Sequence, residues 1–326
     1  MVSDNQIPNF YVARITTAFQ NSPPIEALGR ADPILSQAWL ATLGFVPKIS
    51  APSETAKLSL GNPRKTGKEQ FFTPRSLADR LVLRLQSLIP DLTQRTVLEP
   101  AGGTGAFLDA LTDVGVSSLI SFDIEPRHSS VQRGDFLKSK LKHRGLITVS
   151  NPPFGRNNSL SIPFFNHAAS SSDYIAFIVP RSWRKWSVTN RLHRSFHLIH
   201  DEDLQIEYVD EFGEASWAKN RLKTCFQVWE RRENLRPLIS VRDHGWVSRS
   251  TPAEADVALT IFGHSCGRVK VDFERVPNST QMFLRLNHPE ALAALQRVDY
   301  SRFFRNTAYT EALSLVEINF LLNEAI

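Results

Sequence analysis

Cysteine is scarce. Two in 326 residues, Cys225 and Cys266, are too few for a disulfide framework or a cysteine-based zinc site. Long apolar runs are missing as well: no stretch approaches the roughly 20 residues that a membrane span requires. The first eight residues lack the charged and apolar layout of a secretion leader. These absences point to a cytoplasmic protein without membrane contact. No internal repeat or low-complexity tract is present. The nine histidines form no metal-spaced cluster; His193, His197 and His200 come nearest but sit among basic residues, so no metal is expected. Cys225 lies in the alternating run Leu-Lys-Thr-Cys-Phe-Gln-Val-Trp at 222–229, where a small buried hydrophobe is expected.

What is present is an ordinary globular composition, 42% hydrophobic and 22% charged, long enough for one large domain or two. The net charge of +5 suits a polyanionic partner. After the apolar run 174–179 comes a segment in which Arg181, Arg184, Lys185, Arg191 and Arg194 interleave with Trp183 and Trp186. Cations for phosphates and flat rings for exposed bases are what a nucleic-acid groove needs. A groove is therefore expected here; the alternative is a solvated helix with core tryptophans. The polar loop 155–161, with Arg156 and Asn157, is assigned to the same rim.

The densest chemical signal is Asn151-Pro152-Pro153-Phe154, which follows an apolar run at 145–150 that reads as a buried strand. Each proline fixes its φ and removes a backbone donor. The Asn151 side-chain oxygen and the Pro152 carbonyl can then accept both hydrogens of one planar amino group, while Phe154 lies against the ring that carries it. Three further elements precede this turn in a fixed order. Phe71-Phe72-Thr73-Pro74 opens a helical pattern. The strand 96–99 runs into Pro100-Ala101-Gly102-Gly103-Thr104-Gly105. Another strand, 119–123, ends at Asp123 and is followed by Gly134-Asp135-Phe136. A dinucleotide site would want a third glycine after Gly105, where Ala106 stands, and a small residue where Glu99-Pro100 stands.

In this order the motifs resemble the S-adenosylmethionine-dependent, adenine-specific amino-methyltransferases of DNA, of the gamma type, over roughly residues 65 to 230. The resemblance implies an α/β fold of class I methyltransferase type: a mostly parallel, Rossmann-like seven-stranded sheet flanked by helices. It implies S-adenosylmethionine as cofactor. Glu99, with Pro100, would face the cofactor's ammonium group, and Gly103 and Gly105 would let the backbone approach it. Asp123 would take the ribose hydroxyls and Asp135 the adenine amino group, with Ile124 or Phe136 against the adenine face. Phe72, Thr73 and Pro74 would close over the methionine end, and Asn151 would border both cofactor and target. Adenine is preferred over cytosine because the family's cytosine enzymes mostly carry Ser where Asn151 stands.

Organisation follows the motifs. Residues 1–64 form a proline-containing extension with a helical stretch at 35–43. Residues 65–236 hold the catalytic domain, and 237–326 a small α+β piece in the position of a target-recognition domain. The expected function is methyl transfer to the adenine 6-amino group in DNA, within a restriction-modification system or as an orphan enzyme. RNA adenosine and protein glutamine are the alternative substrates, and a non-enzymatic nucleic-acid binder is a remote third reading. Against the last stand the intact Gly103, Gly105, Asp123, Asp135 and Asn151.

Overall fold

The computed structural model describes residues 72–208 and 222–326. The extension 1–64 and its expected helix at 35–43 lie outside the described residues. Helix α1 (Arg75–Leu88) starts where Pro74 sets φ at −58° and its carbonyl accepts the Leu77 and Ala78 N–H groups. Leu77, Leu81, Val82 and Leu85 fall on its buried face. Strand β1 (Val97–Glu99) enters the glycine-rich turn, and α2 (Ala106–Asp113) leaves it. Strands β2 (Leu119–Asp123), β3 (Gln132–Arg133) and β4 (Leu146–Ser150) follow, then α3 (Ser161–Ala168) and β5 (Ser172–Pro180). The short helix α4 (Trp186–Thr189) leads to the hairpin of β6 (Phe196–Leu204) and β7 (Thr224–Arg231).

These seven strands form one sheet in the order β3-β2-β1-β4-β5-β7-β6. β3 through β5 are parallel, and β7 runs antiparallel to both β5 and β6. This is the class I methyltransferase fold. All five residues of β4 are buried, as expected for a central parallel strand covered on both faces. One core lies beneath α1 and α2, around Leu81, Val149 and Phe226. The other centres on Phe165, whose ring is met nearly edge-on by Phe177, Trp183, Phe196 and Trp229 at 5.5–6.1 Å. The chain winds outward from β1 in one direction and from β4 in the other. Their carboxyl ends therefore diverge and leave a crevice at the switch point. The site is built there.

The carboxyl-terminal piece has its own antiparallel sheet, β10-β9-β11-β8, from β8 (Val247–Arg249), β9 (Val257–Thr260), β10 (Val269–Lys270) and β11 (Gln281–Leu286). Val247, Leu259, Met282 and Leu284 form a core with Leu295 of α5 (Ala291–Arg297) and Ile318, Leu321 and Leu322 of α7 (Leu315–Ala325). The short α6 (Ser301–Phe304) lies between those helices in the chain. Among the described residues, no helix is long and apolar enough to cross a membrane.

The two sheets are joined through the segment after β5. Trp186 packs against Phe303 and Phe320 at 5.3 and 5.0 Å. Lys185 Nζ donates to both oxygens of Glu317, at 3.0 and 3.2 Å. Glu317 is buried and also closes the capping box of α7, accepting from the Ser314 N–H at 2.8 Å. Replacing Lys185 strands a buried carboxylate, which generally costs several kcal/mol. Lys185→Ala is expected to lower unfolding stability by on the order of 3 kcal/mol, read as a lower urea midpoint; an unchanged midpoint would show that the joint contributes nothing.

Candidate active site

Glu99, at the end of β1, reaches across the switch point. Its Oε1 accepts from the Ser150 hydroxyl at 2.5 Å, at the end of β4, and from the Ala101 N–H at 3.1 Å. Oε2 is buried and meets no hydrogen-bond partner among the described residues. Burial pushes this carboxyl up to about 8 and the nearby Asp123 charge adds to the effect, while the bonds from Ser150 and Ala101 pull it down. A buried carboxyl oxygen without a donor fits a cationic ligand group.

The glycine-rich turn crosses the same end of the sheet. Gly103 adopts φ +48°, and a Cβ there would lie 3.1 Å from the Phe72 ring. Gly105 adopts φ +82°, and its Cβ would meet the His128 ring at 2.5 Å. Both sit in the left-handed region that favours glycine, and at Gly105 a side chain would collide with His128. Asp123, at the end of β2, accepts from the Gly103 N–H at 2.9 Å and from the Glu125 N–H at 2.8 Å, which ties the turn to the next strand. Asp135 caps a 3-10 turn by accepting from the Leu137 N–H at 3.1 Å, and pairs with Lys138. Ile124 is 62% exposed at this rim. Phe136 is 1% exposed and packs against Phe164 and His167. Of the two candidates for the adenine face, the structure thus leaves Ile124 open and commits Phe136 to the core.

On the target side, Asn151 leaves β4 half-buried, with Pro152 buried behind it and Pro153 half-buried. The Asn151 amide donates from Nδ2 to the Thr73 hydroxyl at 3.2 Å. That bond joins the segment before α1 to the end of β4 and directs the amide oxygen the other way. Phe154 departs from the sequence expectation: it is 4% exposed and belongs to the core beneath α1. Its carbonyl accepts from Leu160 and Ser161, and the intervening loop folds back through left-handed Asn157 and Asn158. Asn158 Nδ2 then donates to Ser182 Oγ at 3.2 Å. Arg156 and Asn157 stand exposed on that loop.

The expected Arg/Trp groove needs correction. Trp183 is fully buried and donates its indole N–H to Ser161 Oγ at 3.2 Å. Arg184 makes a two-pronged pair with Asp201, at 2.9 and 2.6 Å, and a third bond to Asp203. Burial disfavours its charge, but the bonds to Asp201 raise its pKa overall. Arg181 pairs with Asp203 at 2.9 Å, and Lys185 with Glu317. These cations are spent on acids of β6 and α7. The run Asp201-Glu202-Asp203 was the available signal, but nothing in one dimension places it opposite Arg184. His200 contacts Glu202 and His197 the Asn234 carbonyl. Among the described residues, no group of three potential ligands could hold a metal ion. Cys225 is buried in β7.

No family model matches the chain. Over 111 residues, 33% of its length, it is 32% identical to the type II methyltransferase M.HincII of Haemophilus influenzae, and equally to M.HindII of H. influenzae strain Rd. The matched stretch is 20% and 19% of those proteins, so the chain spans about a fifth of the length of the curated relatives it matches. These relatives bear out the resemblance to DNA amino-methyltransferases read from the motifs. Among solved structures, Thermoplasma acidophilum protein 1320 is similar at a TM-score of 0.39 and 16% identity, covering 51% of this chain and 92% of that one. The M protein of the type I restriction enzyme EcoKI is similar at 0.35 and 18%, covering 50% and 44%. The fold and the methyltransferase relatives imply S-adenosylmethionine as the cofactor. The residues present fit it: a buried acceptor in Glu99, and a glycine turn whose left-handed Gly103 lies against the Phe72 ring.

The folded Glu99 carboxyl keeps its proton above 4.5, its ordinary value, up to about 8. Its contribution to stability is therefore full below pH 4.5 and is lost as pH rises towards 8. Glu99→Gln should remove this fall, and S-adenosylmethionine should bind the parent with proton release below about pH 8. Parent and variant stability curves that run parallel across this window would show that Glu99 ionises as in water.

Proposed function

We propose that the protein transfers a methyl group from S-adenosylmethionine to the exocyclic 6-amino group of adenine in DNA. The observation that carries this reading is the Asn151-Pro152-Pro153-Phe154 turn at the end of β4, beside Glu99 at the switch point, with the Asn151 amide fixed by Thr73. The two type II methyltransferase relatives support it.

S-adenosylmethionine supplies an electrophilic methyl group on a positively charged sulfur. Glu99 faces its ammonium group, Asp123 its ribose hydroxyls, Asp135 its adenine amino group and Ile124 the adenine face; Phe72, Thr73 and Pro74 cover the methionine end. The target base leaves its stack to reach the crevice. Asn151 Oδ1 and the Pro152 carbonyl accept its two amino hydrogens and draw the nitrogen lone pair out of conjugation. Alignment of that lone pair lowers the barrier without any chain nucleophile or strong base, and the proton leaves to water. Residues 237–326 read the target as a recognition domain docked through Lys185 and Trp186.

Incubation of DNA, RNA and protein substrates with labelled cofactor, followed by mass spectrometry, should find N6-methyladenine in DNA; label confined to RNA or to glutamine would overturn the reading. Asn151→Ala should lower turnover by on the order of 10² or more and retain the cofactor-induced rise in Tm. A near-normal rate would remove Asn151 from the chemistry.

Thr73 provides a second test. Thr73→Val keeps the shape but removes the acceptor, so the Asn151 amide can rotate and kcat should fall roughly tenfold, worth about 1.4 kcal/mol. Thr73→Ser should restore the rate. Equal rates in the two variants would leave the hydroxyl without a positioning role.

A further inference from the structure

Two stretches of this chain each carry an excess of five positive charges, 181–194, where the sequence suggested a groove, and 126–150. Residues 126–150 carry six Lys and Arg against the single Asp135, an excess of five that equals the net charge of the whole chain. The carboxyl-terminal piece, 237–326, is close to balanced, with nine basic and ten acidic side chains. Arg181, Arg184 and Lys185 are paired with acids.

Within 126–150, the chain from Leu137 to Lys142 alternates. Leu137 and Leu141 pack on the core around Phe136. Ser139 turns inward, its hydroxyl donating to the Phe136 carbonyl at 2.7 Å and its own carbonyl 3.1 Å from His167 Nε2. Lys138, Lys140 and Lys142 stand exposed between them, Lys138 with 84% of its side chain in solvent. Lys138 ends the 3-10 turn, and Lys140 and Lys142 follow at two-residue intervals between the inward-packed Ser139 and Leu141. His143 and Arg144 continue the strip, and Arg127 and Arg133 are exposed on the preceding stretch. Asp135 pairs with Lys138 and Arg144 donates to the Ser170 carbonyl. The described residues place no carboxylate within ion-pair distance of Lys140 or Lys142.

Uncompensated like charges on one flank repel each other and cost stability unless an anion meets them. We infer that this strip, from Lys138 to Arg144, binds the phosphate backbone of the nucleic-acid substrate. This rests on the functional reading above. The strip begins three residues after Asp135, so its Lys138 end borders the turn that Asp135 caps, and it runs from there to the start of β4. A linear array of cations matches a linear polyanion. An anionic membrane would call for apolar side chains to insert, and no large hydrophobic residue in 126–150 is exposed.

The test is the salt dependence of binding to a duplex DNA oligonucleotide, compared between the parent and the double variant Lys140→Gln, Lys142→Gln. Each lost phosphate contact should lower the slope of log K against log salt by about 0.9, so the pair should lower it by about 1.8, uniformly across sequences. The cofactor-induced rise in Tm reports whether the variant is folded. An unchanged slope in a folded variant overturns the inference, as does a parent that binds no oligonucleotide but binds phosphatidylserine vesicles. A reduced slope together with no methyl mark on DNA or RNA would keep the strip and overturn the substrate assignment instead.

Discussion

The bond between Ser150 and Glu99 is the constraint on which the rest of the site depends. Two strands that wind in opposite directions end side by side, and their last residues are locked by a hydroxyl and a carboxyl out of contact with water. Charge on that carboxyl is costly without a cation. The same contact fixes where Asn151 begins, since it is the residue after Ser150. Cofactor side and target side are thus set by neighbouring residues at one switch point, so their relative geometry is determined by the sheet rather than by flexible loops.

A second constraint acts at the other end of the sheet. Arg184 is held by Asp201 and Asp203, and Asp201 also accepts from Gln227 Nε2 at 3.1 Å, in β7. This buried polar network pins the segment after β5 to the reversed hairpin. Lys185 and Trp186, next in the chain, then carry the second sheet. Charges that looked available for a polyanion instead hold the protein together, because a paired, hydrogen-bonded charge can be buried where a lone one cannot. Lys140 and Lys142, which meet no carboxylate within ion-pair distance among the described residues, lie on the strip that follows β3.

Much of this was legible in the sequence. The order of the motifs gave the sheet, the crevice and the places of Glu99, Gly103, Asp123 and Asn151, because each motif is local: a strand end followed by a turn whose residues tolerate one backbone path. Phe154, Phe136 and Trp183 were misread for a common reason. An aromatic side chain serves equally well as a stacking surface or as core, and its neighbours decide which. The same held for Arg184, whose acids lie on a strand that a one-dimensional pattern does not set beside it.

Sequence alone determined the backbone chemistry: prolines after Asn151 that withhold donors, glycines in the turn after β1, and acids at the ends of β1 and β2. Those are properties of single residues and short spacings, which the chain carries with it in any conformation. Only the tertiary structure decided which charges are free and which rings are exposed. Thr73 meets Asn151 across 78 positions, and Lys185 meets Glu317 across 132. Such pairings exist only once the sheet has brought distant strands together, since an ion pair or a buried ring is a relation between residues.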